Sequence, residues 1–212
     1  MVRTLTIAAM ALAAAGCASA VYDSLERRGV DAKTVLIERV TDAGEDASAA
    51  ADAIDAAGNA LAGARGLDGP GLSRQIGSAR ASAQGAALAA QDLRLSADTA
   101  KAAGARYFRE WEEEIGLYET PTEREAATAR LKAQSSAHRS FLGAIDSAGL
   151  ALSPALTLIT DEIDVLRKNP TSGVVVASRA ARIDAARRAA TDASAKLRSA
   201  AAEAGGFLAA VK

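Results

Sequence analysis

The residue with the most specific chemical potential in this sequence is its single cysteine, Cys17. Small residues, Ala15 and Gly16, come directly before it, and an apolar run begins at Leu5 after one basic residue, Arg3. This order is typical of a leader that is cleaved just before a cysteine whose thiol has been acylated. It predicts lipidation of Cys17 and cleavage of the bond between Gly16 and Cys17.

The apolar run is too short to cross a bilayer as a finished helix, which needs about 20 apolar residues. We therefore predict that residues 1–16 are a lipoprotein signal peptide and that residues 17–30 are a lipid anchor with a short helical tether. More than one acyl chain would make the attachment stable, since each buried methylene contributes about 0.8 kcal/mol.

The residue after the cysteine is Ala18, not aspartate. By the common sorting rule of bacteria with two membranes, this predicts an exported protein held at the outer membrane and facing the periplasm. The alternative is cleavage by the ordinary signal peptidase after Ala18-Ser19-Ala20, which would remove Cys17 together with the leader.

The stretch 107–118 holds four of the seven aromatic residues in the chain and a run of glutamates. Helical spacing predicts one shared side for Tyr107, Trp111, Ile115 and Tyr118. Because Trp and Tyr supply much of the binding energy at interfaces, these four are the predicted partner-docking residues. The competing interpretation, which the composition favours, is a bulky cap on the hydrophobic core with the glutamates in solvent.

His138 is the only histidine, and no second cysteine or Glu-x-x-His pattern accompanies it. Transition-metal sites and nucleophilic triads both need more such side chains. The sequence therefore predicts no metal, no cofactor, no catalytic residues and no enzymatic activity. His138 is expected to be a packed or half-exposed polar residue.

Half of the chain is hydrophobic, but much of that is alanine, and only 3% is aromatic. Alanine is the strongest helix former and proline, present four times, is the weakest. The composition predicts an all-α fold. The 25 basic and 26 acidic residues are balanced, which argues against a nucleic-acid partner.

Four long helices are predicted, over about residues 32–65, 72–118, 121–168 and 172–208. Small or apolar residues recur in each at alternating spacings of about four and three, which is a coiled-coil seam. Short turns make neighbouring helices antiparallel, so we expect an elongated bundle. Helical hairpins that pair into a homo-oligomer are the alternative, because an alanine-rich seam is thin.

Two of these seams include unusual positions. The third helix is predicted to bury Leu142, Gly149 and Leu156, with an interruption at Pro154. The fourth places the polar residues Arg187 and Ser194 in its seam, which makes it the least regular of the four.

Several stretches resemble one bacterial family. They are Gly16-Cys17, Tyr22-Asp23-Ser24-Leu25-Glu26, Gly29-Val30, Leu36-Ile37-Glu38-Arg39-Val40-Thr41-Asp42-Ala43 and Phe108-Arg109-Glu110-Trp111-Glu112-Glu113-Glu114-Ile115. In this order they are similar to the lipoprotein family called domain of unknown function 2959. The resemblance implies an exported, helical, coiled-coil-like protein without an established activity.

The leading hypothesis is a non-enzymatic envelope lipoprotein that acts as a membrane-tethered helical scaffold and binds an unidentified envelope protein. A second hypothesis is a ligand-binding or enzymatic bundle that acts on cell-wall or lipid material, which would need a sizeable pocket near Glu112 or Arg187. A third, a membrane-inserting hairpin, is disfavoured because the apolar stretch Leu150–Leu158 is short and contains Pro154.

Overall fold

The computed structural model describes residues 31–211, and this part of the chain folds into five α-helices. No strand occurs within these residues, so the prediction of an all-α bundle is confirmed. In chain order the helices are α1 (Ala32–Ala62), α2 (Gly69–Gly116), α3 (Pro121–Arg167), α4 (Gly173–Ser178) and α5 (Ala180–Val211).

The four long helices form a four-helix bundle with one helix at each corner. Helix α1 packs along α2 and α5, and α3 packs along α5 and α2, while α1 and α3 touch only slightly across the diagonal. Short connections make successive helices antiparallel. Of the four lateral contacts, the one between α2 and α3 is the loosest.

Alanine dominates the core, and this lets the helices approach closely. The small or apolar residues that form the predicted seam between residues 32 and 65 are all buried: Leu36, Val40, Ala43, Ala47, Ala50, Ile54, Ala57, Leu61 and Ala64. A methyl group added at Gly58 would stand 2.7 Å from the Cβ of Ala190 on α5. The two helices therefore lie so close at this level that no side chain larger than that of glycine fits at position 58.

Side-chain caps begin three of the helices. The Asp31 carboxylate accepts a hydrogen bond from the Thr34 amide at 2.8 Å, and the Ser172 hydroxyl accepts one from the Val175 amide at 3.4 Å. Thr120 accepts from the Glu123 amide at 3.3 Å, with Pro121 at the first helical position. The Thr120 cap thus begins α3 at Pro121, the residue at which the third helix is predicted to start.

The predicted fourth helix is two helices, because the chain is not helical at Arg179. Its backbone has φ −101° and ψ 1°, and its guanidinium binds the carboxylate of Glu162 on α3. That carboxylate belongs to a residue only 2% exposed. A buried carboxylate needs a paired cation, and this tertiary contact overrides the local helical preference.

The buried positions of α3 differ from the predicted seam at three positions. Phe141, Ala148 and Ala155 are buried where Leu142, Gly149 and Leu156 were predicted. The three predicted residues lie one position later and turn towards α2 instead of the centre. Pro154 lies inside α3 and does not end it.

The seam of α5 is also shifted. Arg187 is exposed, and the buried residue is Ala186. The prediction for Arg187 was wrong because continued helical register with the neighbouring Ile183 and Ala190 brings Ala186 to the core. Ser194 is buried, and its hydroxyl donates to Asp55 of α1 at 2.7 Å.

Helices α2 and α3 are longer than the others and project past them at one end. Trp111 is beside the start of α1, and Gln134 donates to the carbonyl of Ala210 near the end of α5 at 3.1 Å. Residues 112–133 therefore form a hairpin tip beyond α1 and α5. Helix α2 ends at Gly116, two residues before the predicted Tyr118.

Helix α3 alone among the described helices is long and apolar enough to cross a membrane by length and composition. Its most apolar 18 residues have mean hydropathy 1.5, and only 28% of them are buried in the bundle. The apolar stretch is thus longer than Leu150–Leu158, and much of it lies at the surface. Core helices of other proteins can have the same length and apolar composition.

Candidate functional site

The aromatic cluster meets the start of α1 at one end of the bundle. Here a cleft of about 320 Å³, termed the α1–α2 cleft, is lined by both helices. The rings of Tyr107 and Trp111 lie 5.6 Å apart between centroids and form its apolar wall. The lining residues are Asp31, Ala32, Lys33, Tyr107, Glu110, Trp111 and Glu114.

Asp31, Glu110 and Glu114 give this cleft an acidic rim, although Lys33 also lines it and Glu110 pairs with Arg106 at 2.6 Å. Burial raises the pKa of the Tyr107 phenol, and the charges of Glu114 and Asp31 raise it further. The phenol is therefore a neutral donor, and it donates to Gln134 Oε1 at 3.4 Å. An aromatic wall beside carboxylates suits contact with a cationic or amphipathic group.

The structure brings together only two of the four predicted docking residues. Tyr107 and Trp111 line the α1–α2 cleft, whereas Ile115 is buried at 7% exposure. Tyr118 lies beyond the end of α2 and lines a separate cleft on the hairpin tip with Leu117. The four residues do not form one surface, because α2 ends before it reaches Tyr118. Docking at Tyr107 and Trp111 stays a prediction.

Behind the aromatic wall, His138 is enclosed in the core at 4% exposure. The rings of Phe108, Phe141 and Phe207 lie 5.6, 6.2 and 5.3 Å from it. Burial lowers the pKa of His138, although a backbone hydrogen bond with Ala100 opposes the shift. Within residues 31–211 its Nε2 has no hydrogen-bond partner. This end of the bundle is therefore a cap of packed rings as well as a cleft.

Sequence reasoning missed a larger groove on the side of the bundle between α2 and α3. It has a volume of about 570 Å³ and a mainly apolar lining. The displaced residues Gly149 and Leu156 line it, as do Arg94 and Asp146. The nearly uncharged run from residue 140 to 160 was the signal that could have revealed it.

The ligand-binding hypothesis requires a sizeable pocket near Glu112 or Arg187. Near Arg187 the structure has an open depression on α5, lined by Asp184, Arg187, Arg188, Thr191 and Asp192. Among residues 31–211 no group of three or more His, Cys, Asp or Glu side chains is placed to hold a metal ion. Gly16 and Cys17, the predicted cleavage and lipidation residues, lie outside the described part of the chain.

A family model matches residues 21–211, and its description is "Protein of unknown function (DUF2959)". The chain belongs to this family. The match spans the bundle from α1 to α5 and eleven residues before it, so the matched region of this chain includes both the α1–α2 cleft and the groove. No curated protein and no solved structure matches the chain.

Proposed function

We propose that this DUF2959 protein is a non-enzymatic scaffold of the bacterial envelope, anchored by acyl chains on Cys17 and binding another envelope component through its helices. The observation that supports lipid anchoring is the leader-like sequence that ends in Gly16-Cys17. The alanine-packed bundle supports the scaffold, since long helices in tight contact make a stiff rod.

The geometry of the bundle supports a particular orientation on the membrane. The tether joins α1 at Asp31, next to Tyr107 and Trp111. Residues 17–30, the 14 residues before Asp31, reach at most about 50 Å when fully extended. The aromatic end then faces the membrane, where Trp and Tyr are favoured, and the α1–α2 turn points away.

In this orientation a partner that docks at Trp111 is expected close to the membrane. Helix α2, with 48 residues, is roughly 70 Å long. A docking site at Trp111 lies near the membrane end of that length. The partner bound there would itself be at or close to the membrane.

The anchor is tested with Cys17→Ala and, as a matched control, Ser19→Ala. We expect Cys17→Ala to lose incorporation of a labelled fatty acid and to move from the membrane fraction to the soluble fraction. Ser19→Ala should behave as wild type. A Cys17→Ala protein that stays in membranes and keeps the label would overturn the anchor.

The docking site is tested by photo-crosslinking in cells from position 114, where the exposed Glu114 lines the same cleft as Trp111, with position 174 as control. Val174 is 81% exposed and belongs to α4, at the other end of the bundle. We expect a captured envelope protein from position 114 and none from position 174, and adding Trp111→Ala should reduce its recovery while helicity is unchanged. Equal capture from both positions would count against the site.

A further inference from the structure

One side of the hairpin tip is left uncovered because α1 does not extend along it. Trp111 and Glu114 of α2 line the α1–α2 cleft beside the start of α1. Tyr118 follows four residues after Glu114 and donates a hydrogen bond to its carboxylate at 3.3 Å, so it lies on the same helical side. Helix α1 begins at Ala32, so the side of α2 that α1 covers in the bundle continues past α1 to Tyr118.

Helix α3 extends this uncovered side across the tip. A cleft of about 700 Å³ joins the end of α2 to the first turns of α3, and Leu117, which is 81% exposed, lines it. Gln134, four residues after Arg130 on α3, donates to a carbonyl of α5, so this stripe of α3 faces the half of the bundle that holds α1 and α5. Six residues define the inner side of the tip: Glu114, Leu117, Tyr118, Glu123, Ala126 and Arg130.

The ten residues before Asp31 have a pattern that fits this inner side. Residues 21–30 lie outside the described part of the chain, and the region matched by the family begins with them. Helical spacing places Val21, Tyr22 and Leu25 on one side. Ten helical residues span about 15 Å, which is enough to follow α2 from the start of α1 to the end of the tip.

We propose that residues 21–30 form a helical segment that packs on the inner side of the tip, in line with α1 and antiparallel to α2. The connection of the chain selects this occupant. The segment is joined to Asp31, at the point where α1 stops covering α2, so its effective concentration there far exceeds that of a separate molecule. The extended backbone of Asp31, with φ −74° and ψ 156°, separates the segment from α1.

The point of attachment also sets the register of the segment. Asp31 lies beside Trp111 on α2. Because all α-helices rise by about 1.5 Å per residue, Leu25 is level with Leu117. Contact with the segment therefore covers the exposed Leu117 and the ring of Tyr118, which removes apolar surface from water.

The same register brings one cation to the acidic end of α2. On α1, Ala60 lies three residues after a core residue and is close to α2, where its carbonyl accepts a hydrogen bond from Gln75 at 2.7 Å. Arg28 lies three residues after Leu25, so it turns towards α2 in the same way and is level with Glu114. The segment as a whole has two acidic and two basic residues, so this exposed pair contributes more to orientation than to strength.

The segment goes beyond the proposed function and does not depend on it. It lies beyond Asp31 and leaves Tyr107 and Trp111 uncovered. If Cys17 is acylated, only residues 17–20 separate the acyl chains from the packed segment, and they reach at most about 14 Å. Failure of the lipid-anchor test leaves this proposal standing, and failure here leaves the anchor standing.

The test measures whether residue 24 stays beside residue 118. The full-length chain carries Ser24→Cys and Tyr118→Cys, and Ser24 is not one of the three apolar residues of the segment. After mild oxidation of intact cells, the denatured protein is treated with a maleimide polymer that adds a countable mass to each free thiol. We expect most of the monomer to carry two polymers fewer than the unoxidised sample.

Gly116→Cys replaces Tyr118→Cys in the matched control. Gly116 is exposed, lies two residues from Tyr118 and is on the opposite helical side of α2. A segment that moves freely reaches both positions, so we expect at least about fivefold less closure with Gly116→Cys. Cys17 adds the same count to the oxidised and unoxidised samples, whether it is acylated or not.

The apolar contact is tested in the chain with Ser24→Cys and Tyr118→Cys. Leu25→Ser should lower the closed fraction at least about threefold, because it removes the side chain that covers Leu117. Arg27→Ser, on the opposite helical side of the segment, should leave the closed fraction unchanged. Circular dichroism of each purified variant checks that the helices remain.

Three results would overturn the proposal. The first is equal closure with Tyr118→Cys and Gly116→Cys. The second is a closed fraction that Leu25→Ser does not change. The third is a Tyr118→Cys thiol that does not close with Ser24→Cys but is protected from the maleimide in native membranes and not in detergent, which would make a lipid surface the occupant of the inner side.

Discussion

At the scale of single residues, the imidazole of His138 is buried among Phe108, Phe141 and Phe207 and has an unpartnered Nε2 within the described chain. Because burial lowers its pKa below the ordinary 6.5, the fold favours the neutral ring. The unfolded chain then binds more protons near that pH. The stability that the fold gains by burying the neutral imidazole is complete above about pH 6.5 and is lost as the pH falls below that value.

We predict that His138→Leu flattens the acid side of the stability curve. The free energy of unfolding of wild type should fall more steeply between pH 6.5 and 5, by up to about 1.4 kcal/mol per pH unit relative to the variant. Urea unfolding followed by circular dichroism measures both curves. Parallel curves would show that His138 does not titrate differently in the two states.

The imidazole of His138 is also the reason that position 104 requires glycine. A Cβ there would lie 2.2 Å from His138 Cε1, and the surrounding aromatic rings hold the imidazole in place. We predict that Gly104→Ala lowers the free energy of unfolding by about 1–3 kcal/mol. The measurement is urea unfolding at pH 7.5.

Gly85 on the same helix provides the matched control. Within the described residues, nothing lies within 4 Å of a Cβ added there. Gly85→Ala should therefore stabilise the protein by about 0.5–1 kcal/mol, because alanine loses less backbone entropy in a helix. Similar effects of the two substitutions would contradict the close contact at Gly104.

At the scale of the helices, the join between α4 and α5 depends on one buried carboxylate. Glu162 accepts hydrogen bonds from Arg179 Nε at 2.8 Å and Nη2 at 2.5 Å, and Arg182 Nε lies 3.2 Å away. We predict that Glu162→Gln lowers the free energy of unfolding by about 1–3 kcal/mol, since hydrogen bonds to a charged, buried group are replaced by weaker ones.

Asp164→Asn makes the same chemical change two residues away on the surface of α3. Its side chain is 67% exposed and pairs with Arg167 at 3.2 Å. Exposed pairs contribute little, so we expect a change of less than about 0.5 kcal/mol. Thermal melts of both variants compare the two, and an equal loss of stability would show that the Glu162 pair has no special role.

At the scale of the whole molecule, the unequal helix lengths predict unequal protection. Residues 119–126 of the hairpin tip are all exposed, whereas the part of α3 beside α5 buries Phe141, Ala148 and Ala155. We predict that amides of the tip exchange with deuterium at least about tenfold faster than those of residues 141–163. Hydrogen exchange with mass spectrometry measures this, and uniform protection along α3 would contradict it.

The sequence by itself determined the helical class, because alanine content and the three-and-four spacing depend only on local preference and periodicity. It also determined the whole seam of α1 and the start of α3 at Thr120, since caps and short turns act within a few residues. The pattern that predicts a leader before Cys17 is likewise local, and that leader stays a prediction. The sequence also carried the resemblance to the family to which the chain belongs.

Tertiary structure alone decided the features that depend on neighbours far along the chain. The break at Arg179 arises because Glu162 is buried 17 residues earlier and needs a cation. The one-residue shift in α3 follows from packing against α2 and α5 together, which periodicity within one helix cannot specify. That shift moved Leu156 and Gly149 out of the core and opened the groove. Likewise, only the antiparallel packing of α1 on α2 placed Trp111 beside Asp31 at the start of α1.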